Sequence, residues 1–441
     1  MKNLSDRKLI ISLAIPAVLQ TVVRSLFVIV DAFWVGKINS LNLAALTIAT
    51  FVVWGVLALG EIISTATNTL IAQKVGGQDL FSAKTVASQN LVNTVIFSFV
   101  LGIFLIPLLR PLFQIMNTSP EQSELALKYL TVLLLGLPCV ILLLTVASIF
   151  RGYGNTRMPF YLLLLAITLN FIFAPLLIFG IEGLFEGYGI VGAALSTLIS
   201  FAFSAIIGYK VLLKRNLIFS FLLYKVNLPL IKETFRIGVP TSISGVAFSL
   251  IYVLVSKYVA DYGTVGFASL GIGHRSESLI FQITVGFSLA STILVGQNVG
   301  AGNTKRAETL AWKIFGVSAF VVLIYSVILF IFSREIAMIF TNDNDVITAA
   351  SMYNKISSLV QIFSAAEIIL TGAFIGAGDT LPPTLVAMPL NFLRIPLSGI
   401  FSSYFGLTGI WIAICITVFF KGILIALLFK TGRWKKKKVK I

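Results

Sequence analysis

Twelve long apolar runs separated by short polar breaks restrict the fold of this chain more than any other feature of the sequence. A helix that crosses a bilayer needs about 20 apolar residues, because backbone groups cannot be left unpaired in hydrocarbon. The runs occupy residues 12–37, 43–72, 87–109, 126–150, 158–180, 189–213, 237–260, 266–296, 309–332, 347–374, 383–404 and 407–429. The sequence therefore predicts an all-α membrane protein with twelve transmembrane helices.

Composition excludes a soluble globular protein. Charged residues make up 11% of the chain and hydrophobic residues 58%, whereas soluble domains contain roughly 25% charged residues. The two cysteines, Cys139 and Cys415, both fall inside predicted spans. This placement indicates packing and not a disulfide or a metal site.

The two halves of the chain repeat each other at one constant offset, which is the separation in sequence between Pro16 and Pro240. Identical pairs at this repeat offset are Pro16/Pro240, Ser25/Ser249, Ala44/Ala268, Leu46/Leu270, Gln73/Gln297, Val75/Val299, Gly76/Gly300, Gly152/Gly376, Gly154/Gly378, Thr156/Thr380 and Pro159/Pro383. Six spans per half is an even number, so both halves enter the membrane in the same direction. We predict an N-terminal lobe at 1–209, a cytoplasmic linker at 210–236, a C-terminal lobe at 237–430 and a basic tail at 431–441.

Basic residues give the expected orientation. Lysine and arginine remain on the cytoplasmic side of a membrane, and most of the 33 Lys and Arg residues lie in segments that share a side with the N-terminus. Both termini are therefore predicted to be cytoplasmic. This bias also explains most of the formal charge of +16, so lipid is the expected partner of the basic tail and nucleic acid is not.

Asp31 lies in the first apolar run, and Val255 lies opposite it in the second half. A charge near the middle of a bilayer costs roughly 2.5–3.5 kcal/mol on insertion scales, so it faces a cavity or a partner. At 100° per residue, Gln20, Arg24, Phe27 and Asp31 share one face of the first helix. A duplicated membrane protein with a buried carboxylate in one half only is typical of a secondary transporter.

Several motifs together resemble the multidrug and toxic compound extrusion (MATE) family, with its DinF-like prokaryotic branch as the nearest match. They are the segments 30–36 (VDAFWVG), 151–156 (RGYGNT), 296–302 (GQNVGAG) and 376–380 (GAGDT). The likeness runs from about residue 8 to 430. It implies two six-helix bundles in a V shape and export of organic compounds, driven by inward flow of Na⁺ or H⁺.

The same resemblance implies a cation site in the N-terminal lobe, formed by Asp31, Asn170 and Thr197. One position departs from the pattern, since Ala174 stands where the branch commonly has a second aspartate. No other metal site and no cofactor is expected. Because a proton needs only one carboxylate whereas Na⁺ needs several oxygen ligands, the sequence favours H⁺ over Na⁺ as the coupling ion.

Two arginines leave the character of the substrate cavity open. If Arg24 reaches Asp31, the pair favours the ionised carboxylate, and if it points elsewhere, burial favours the protonated form. Arg394 is the repeat counterpart of Asn170. Together with Gln20 and Phe27, both arginines are candidates for lining a substrate cavity. They are equally good candidates for structural pairs with Glu61, Glu277 or Glu367.

Two prolines and a cluster of polar residues are candidates for structural roles. Pro16 and Pro240 lie near the start of the first helix of each half, as ordinary kinks or as hinges. His274, Arg275, Glu277 and Glu367 are predicted to form a polar network, with a gate or proton relay as the alternative.

The leading functional prediction is a monomeric, multi-pass exporter of small amphipathic compounds in a prokaryotic plasma membrane. A lipid-linked oligosaccharide flippase of the same wider superfamily is the alternative. No HExxH, GxSxG or Walker A pattern occurs, so neither an enzyme nor direct ATP drive is expected.

Overall fold

The computed structural model describes residues 5–116, 118–219 and 227–437, and within these ranges the chain is almost entirely helical. The helices are α1 Asp6–Gly36, α2 Ser40–Gly76, α3 Leu80–Leu105, α4 Leu109–Ile115, α5 Pro120–Leu135, α6 Leu137–Gly152, α7 Arg157–Phe179, α8 Ile190–Lys214, α9 Leu228–Ala260, α10 Gly263–Gly300, α11 Thr304–Ile331, α12 Ser333–Met338, α13 Asn344–Ser358, α14 Gln361–Ala377, α15 Leu381–Phe405 and α16 Leu407–Lys430. Short 3₁₀ helices occur at Ile106–Leu108 and Arg433–Lys436. Parts of the predicted linker (220–226) and tail (438–441) lie outside the described residues.

Ten of the described helical segments are each long and apolar enough to cross a membrane, and two bent helix pairs bring the number to twelve. The prediction of twelve spans is thereby confirmed. The fourth and tenth spans, however, are not the continuous helices predicted at 126–150 and 347–374. The helix axis bends by 52° between α5 and α6 and by 55° between α13 and α14. In the first pair, Pro138 at the start of α6 has no backbone N–H with which to continue the hydrogen bonds of α5.

The internal repeat is visible in the helix boundaries. Helices α3 and α11, α5 and α13, α6 and α14, and α7 and α15 begin at positions separated by the repeat offset. A β-hairpin, formed by antiparallel pairing of Gly180–Ile181 with Phe185–Glu186, then interrupts the register. In the second half α15 passes to α16 through Gly406 alone. Positions in α8 and α16 therefore correspond at a shorter offset, that between Gly189 and Gly406, which both have positive φ.

The described chain divides into two compact units. The N-terminal unit comprises residues 19–239, and the C-terminal unit comprises residues 5–18 together with 240–437. The first residues of α1 join the C-terminal unit because Leu9, Ile10 and Leu13 pack in one hydrophobic cluster with residues of α10, α11 and α14. The units thus differ at the N-terminus from the predicted lobes. The predicted linker 210–236 also contains the end of α8 and the start of α9.

The two candidate hinge prolines lie inside helices and close to the boundaries of these units. Pro16 lies within α1, just before the boundary at Val18, and Pro240 is the first residue of α9 that belongs to the C-terminal unit. The carbonyl oxygen of Pro240 accepts hydrogen bonds from the hydroxyls of Ser244 and Thr384, at 3.1 and 3.3 Å. Bending at these positions stays a prediction.

Backbone contact between α15 and α16 leads to a stability prediction. A Cβ atom at Gly409 would lie 2.0 Å from the carbonyl oxygen of Phe401. We expect Gly409→Ala to lower the melting temperature of the purified protein, because overpacking of this kind costs about 1–3 kcal/mol. Gly316→Ala in α11 is the matched control, since no atom lies within 4 Å of its added Cβ. Equal melting temperatures for the two variants would contradict the prediction.

The hairpin provides a test of the predicted orientation. If the N-terminus is cytoplasmic, the fifth span ends outside the cell and Glu182 faces the external medium. Lys305, in the first turn of α11, then faces the cytoplasm. In a background in which Cys139 and Cys415 are replaced by alanine, we expect an impermeant thiol reagent to label Glu182→Cys in intact cells and Lys305→Cys only after lysis. The reverse labelling pattern would overturn the orientation.

Candidate cation site and its surroundings

Asp31, Asn170 and Thr197 lie together in the N-terminal unit. The hydroxyl of Thr197 on α8 donates a hydrogen bond to Asp31 Oδ2, with 3.3 Å between the oxygens. The same hydroxyl accepts a hydrogen bond from Asn170 Nδ2 on α7, at 3.2 Å. All three side chains are buried, with Asn170 fully so. A chain of donors therefore runs from the amide through the hydroxyl to the carboxylate.

This arrangement leaves two buried oxygens without a donor. In the described part of the chain, Asp31 Oδ1 and Asn170 Oδ1 accept no hydrogen bond. None of the ion pairs formed by the described residues includes Asp31. A buried carboxylate without a counter-charge is costly, so this site suits either a proton or a small cation.

Asp31 is the single carboxylate of this cluster. Ala174, where a second aspartate was expected from the family pattern, is fully buried in a hydrophobic cluster with Val35, Ala193 and Ala194. The described residues contain no group of three His, Cys, Asp or Glu side chains that would hold a metal ion.

Two further residues belong to this site that sequence reasoning missed. Ser196 accepts a second hydrogen bond from Asn170 Nδ2, at 3.2 Å, and donates its own proton to the carbonyl oxygen of Ala193. Tyr129 on α5 is buried and interacts electrostatically with Asp31. Ser196 adjoins Thr197 in sequence, but nothing in the sequence places Tyr129 beside Asp31.

Arg24 does not pair with Asp31. Its guanidinium donates to Glu61 Oε1 at 3.1 Å, and both side chains are about half exposed. This resolves the open alternative in favour of one of the predicted glutamate partners. Gln20, which shares the helix face with Asp31, accepts a hydrogen bond from Arg151 Nη1 at 3.2 Å. The positive charge of Arg24 is therefore offset by Glu61 and not by Asp31.

Three of the four predicted cavity residues, Gln20, Phe27 and Arg394, are buried in this structure, and Arg24 is the exposed one. Phe27 is 9% exposed and packs edge-on against Phe201, with 5.0 Å between ring centres. Arg394 in the C-terminal unit is 0% exposed. Its Nε donates to the Thr417 hydroxyl at 3.0 Å, and its guanidinium lies 5.2 Å from the ring centre of Tyr252. Both side chains are covered by neighbours on other helices, which a helical wheel does not include.

The predicted polar network is divided in the structure. Glu277 accepts hydrogen bonds from the Tyr353 hydroxyl at 3.0 Å and from Gln361 Nε2 at 2.8 Å. Glu367 pairs instead with Lys421, at 2.9 Å. The ring of His274 packs edge-on against Tyr252, and Arg275 is exposed. The four residues therefore do not form one hydrogen-bonded network, because Glu277 and Glu367 lie on different helices with different partners.

Comparison with known proteins decides the family. The sequence model named MatE matches residues 16–176 and 240–400, which is one copy in each half of the chain. The chain belongs to the MatE family. The prediction of a MATE transporter made from the sequence motifs is thus confirmed, while its assignment to the DinF-like branch stays a prediction.

Relatives of this MATE transporter carry names from drug resistance. It is 30% identical to a probable multidrug resistance protein NorM of Thermotoga maritima, over 98% of this chain and 94% of the relative. It is 24% identical to the multidrug export protein MepA of Staphylococcus aureus, over 91% of this chain and 89% of the relative. Such relatives support transport of small molecules across a bacterial plasma membrane.

Solved MATE structures have the same fold. An outward-facing multidrug resistance MATE family transporter superposes with a TM-score of 0.88 at 24% identity, covering 98% of this chain and 97% of that one. A MOP superfamily transporter from Pyrococcus furiosus superposes with a TM-score of 0.86 and the same identity and coverage. Both superpositions support the all-α fold that was predicted from the sequence.

Proposed function

We propose that this protein is an antiporter that exports small amphipathic organic compounds in exchange for protons, with Asp31 as the coupling residue. The observation that carries the proposal is the buried Asp31 carboxylate. One of its oxygens accepts a hydrogen bond from the Thr197 hydroxyl, and the other accepts no hydrogen bond from the described residues. The names of the relatives support the export of drug-like compounds.

A proton fits the site better than Na⁺. A dehydrated hard cation is held by several oxygen ligands, of which carboxylates contribute most of the charge. Here one carboxylate is present, and Ala174 fills the place of the second. The amide nitrogen of Asn170 points to hydroxyls, which leaves one amide oxygen and the Asp31 carboxylate as free ligands. A proton on Asp31 Oδ1 needs no further ligands to neutralise the buried charge.

The coupling follows from differential solvation. When Asp31 is enclosed, as in this structure, burial favours its protonated form, because the ionised form pays the cost of desolvation. When the same carboxylate faces water or a cationic substrate, ionisation is favoured and the proton leaves. A change in the surroundings of Asp31 between two conformations thus converts a proton gradient into a change of conformation.

The test uses the purified protein in proteoliposomes loaded with a fluorescent cationic dye. We expect dye transport under an imposed pH gradient and none under an imposed Na⁺ gradient at equal pH. Transport under the Na⁺ gradient alone would replace the proton by Na⁺ and leave the export function in place. Movement of lipid-linked sugars without movement of the dye would overturn the export function itself.

A further inference from the structure

The C-terminal unit contains a counterpart of the candidate cation site in which every ligand position has changed. Helices α7 and α15 begin at positions separated by the repeat offset, so Arg394 corresponds to Asn170. Helices α1 and α9 end at positions separated by the same offset, so Val255 corresponds to Asp31. In α16, at the shorter offset between Gly189 and Gly406, Ile414 corresponds to Thr197.

The shorter offset in α16 rests on a shared backbone contact. A Cβ at Gly192 would lie 2.3 Å from the carbonyl oxygen of Leu177, and one at Gly409 would lie 2.0 Å from that of Phe401. The two carbonyls are themselves separated by the full repeat offset, so the same contact is made in both units. The two glycines therefore occupy equivalent positions, although they are separated by the shorter offset.

Hydrophobic packing and one guanidinium fill this counterpart site. Val255 and Ile414 are 0% and 3% exposed and belong to one hydrophobic cluster with Tyr353 and Trp411. Arg394 Nη1 and Nη2 have no hydrogen-bond partner among the described residues. Since the side chain is 0% exposed even to water, no space is left beside it for a bound anion. Its counter-charge must come from the protein.

Glu277 is the carboxylate available for that role. Its hydrogen-bond partner Tyr353 belongs to the same hydrophobic cluster as Val255 and Ile414. Tyr252, over whose ring the Arg394 guanidinium lies, packs in that cluster too, although Glu277 and Arg394 do not form a direct ion pair. Lys421 is already paired with Glu367. The two buried cations of this region, Arg394 and Lys421, are therefore matched in number by two partly buried carboxylates, Glu277 and Glu367. Asp31 in the N-terminal unit has no basic partner among the described ion pairs.

We propose that Arg394 is a built-in cation: its guanidinium occupies the C-terminal counterpart of the N-terminal cation site, with Glu277 as its counter-charge. The C-terminal unit then binds no exchangeable ion, and each molecule carries a single coupling-ion site. Arg394 is a positioning residue whose fixed positive charge offsets the charge of Glu277. The statement that Arg394 takes the place of a bound cation rests on the proposed role of Asp31. The pairing of Arg394 with Glu277 does not depend on that role.

The first test removes the built-in cation in an Asp31→Asn background, where the N-terminal site is silent. Arg394→Asn introduces the residue of the N-terminal counterpart and leaves the partly buried Glu277 without a fixed cation. We expect the melting temperature of this variant to rise by several degrees when Na⁺ replaces choline or when pH falls. Arg394→Lys, which keeps the charge, is expected to show neither response.

Removing Glu277 as well separates this response from other titrations. The titratable or charged side chains that interact with Arg394 or Glu277, directly or through Lys421, are Tyr252, His274, Tyr325, Tyr353, Cys415, Lys421 and Glu367. The double change Arg394→Asn/Glu277→Gln keeps all of them, and we expect its response to Na⁺ and pH to disappear. If Arg394→Asn responds no more than Arg394→Lys, or if the double change still responds, the proposal is overturned.

A second measurement does not depend on whether Arg394→Asn folds. The Asp31→Asn protein with an intact Arg394 is expected to show no saturable binding of radioactive Na⁺ and no proton release on adding Na⁺. Residual binding that is lost on Glu277→Gln would show an exchangeable site in the C-terminal unit and would overturn the proposal. Failure of the proposed function has a different signature, namely ion-coupled efflux that survives Asp31→Asn.

Discussion

Replacing Asp31 with asparagine is expected to abolish dye efflux driven by a pH gradient while the protein still folds. Asparagine has nearly the same shape and still accepts the hydrogen bond from Thr197, but it cannot bind and release a proton. The loss is expected to be at least about tenfold, because proton transfer fails when the single group that carries the proton is removed. The measurement is efflux from proteoliposomes, with the melting temperature as the check on folding.

Asp261→Asn is the matched control for this change. Asp261 lies in the exposed turn between α9 and α10, so the same substitution there removes one carboxylate without touching the candidate site. We expect its efflux to equal that of the unaltered protein. If Asp31→Asn transports as well as Asp261→Asn, the coupling residue lies elsewhere, and Glu277 and Glu367 become the next candidates.

A second large effect is expected from Ala174→Asp, which restores the missing carboxylate beside the N-terminal site. With two carboxylates and the free oxygen of Asn170, the site gains ligands that a hard cation needs. We expect efflux by this variant to depend on Na⁺, by a factor of about ten when Na⁺ is replaced by choline (about 1.4 kcal/mol). The unaltered protein is expected to be indifferent to that exchange.

Ala174→Asn separates the effect of charge from the effect of size. Ala174 is fully buried, so any larger side chain strains the cluster that surrounds it. If the asparagine variant gains the same Na⁺ dependence as the aspartate variant, the second carboxylate is not what binds Na⁺. Efflux by the unaltered protein that follows a Na⁺ gradient and ignores a pH gradient would contradict the proton assignment directly.

The sequence by itself determined the fold and predicted three residues of the candidate cation site. Twelve apolar runs leave only spanning helices as solutions, because an unpaired backbone group in hydrocarbon is costly, and the constant repeat offset required two similar halves. The family motifs brought Asp31, Asn170 and Thr197 into one prediction before any distance was known. The apolar runs, the repeat and the motifs can all be read from the sequence, because each depends on the order of residues along the chain and not on contacts between helices.

Only the tertiary structure decided the partners of the buried charges. Arg24 was within reach of either Asp31 or Glu61, and the choice of Glu61 depends on how α1 and α2 lie beside each other. Whether Arg394 lines a cavity or is buried likewise depends on Thr417 and Tyr252, which contact it from α16 and α9. A side-chain partner on another helix is set by helix packing, and sequence spacing within one helix carries no information on it.

The bends and the shifted register were also beyond the sequence pattern. Hydropathy marks where a span lies, but it does not distinguish a straight helix from two helices joined at an angle, as in α5 and α6. The hairpin before α8 shortens the repeat offset for the helices that follow it, so the counterpart of Thr197 is Ile414. Apolar residues fit both registers equally well. The positive φ of Gly189 and Gly406 and the backbone contacts at Gly192 and Gly409 distinguish the two registers.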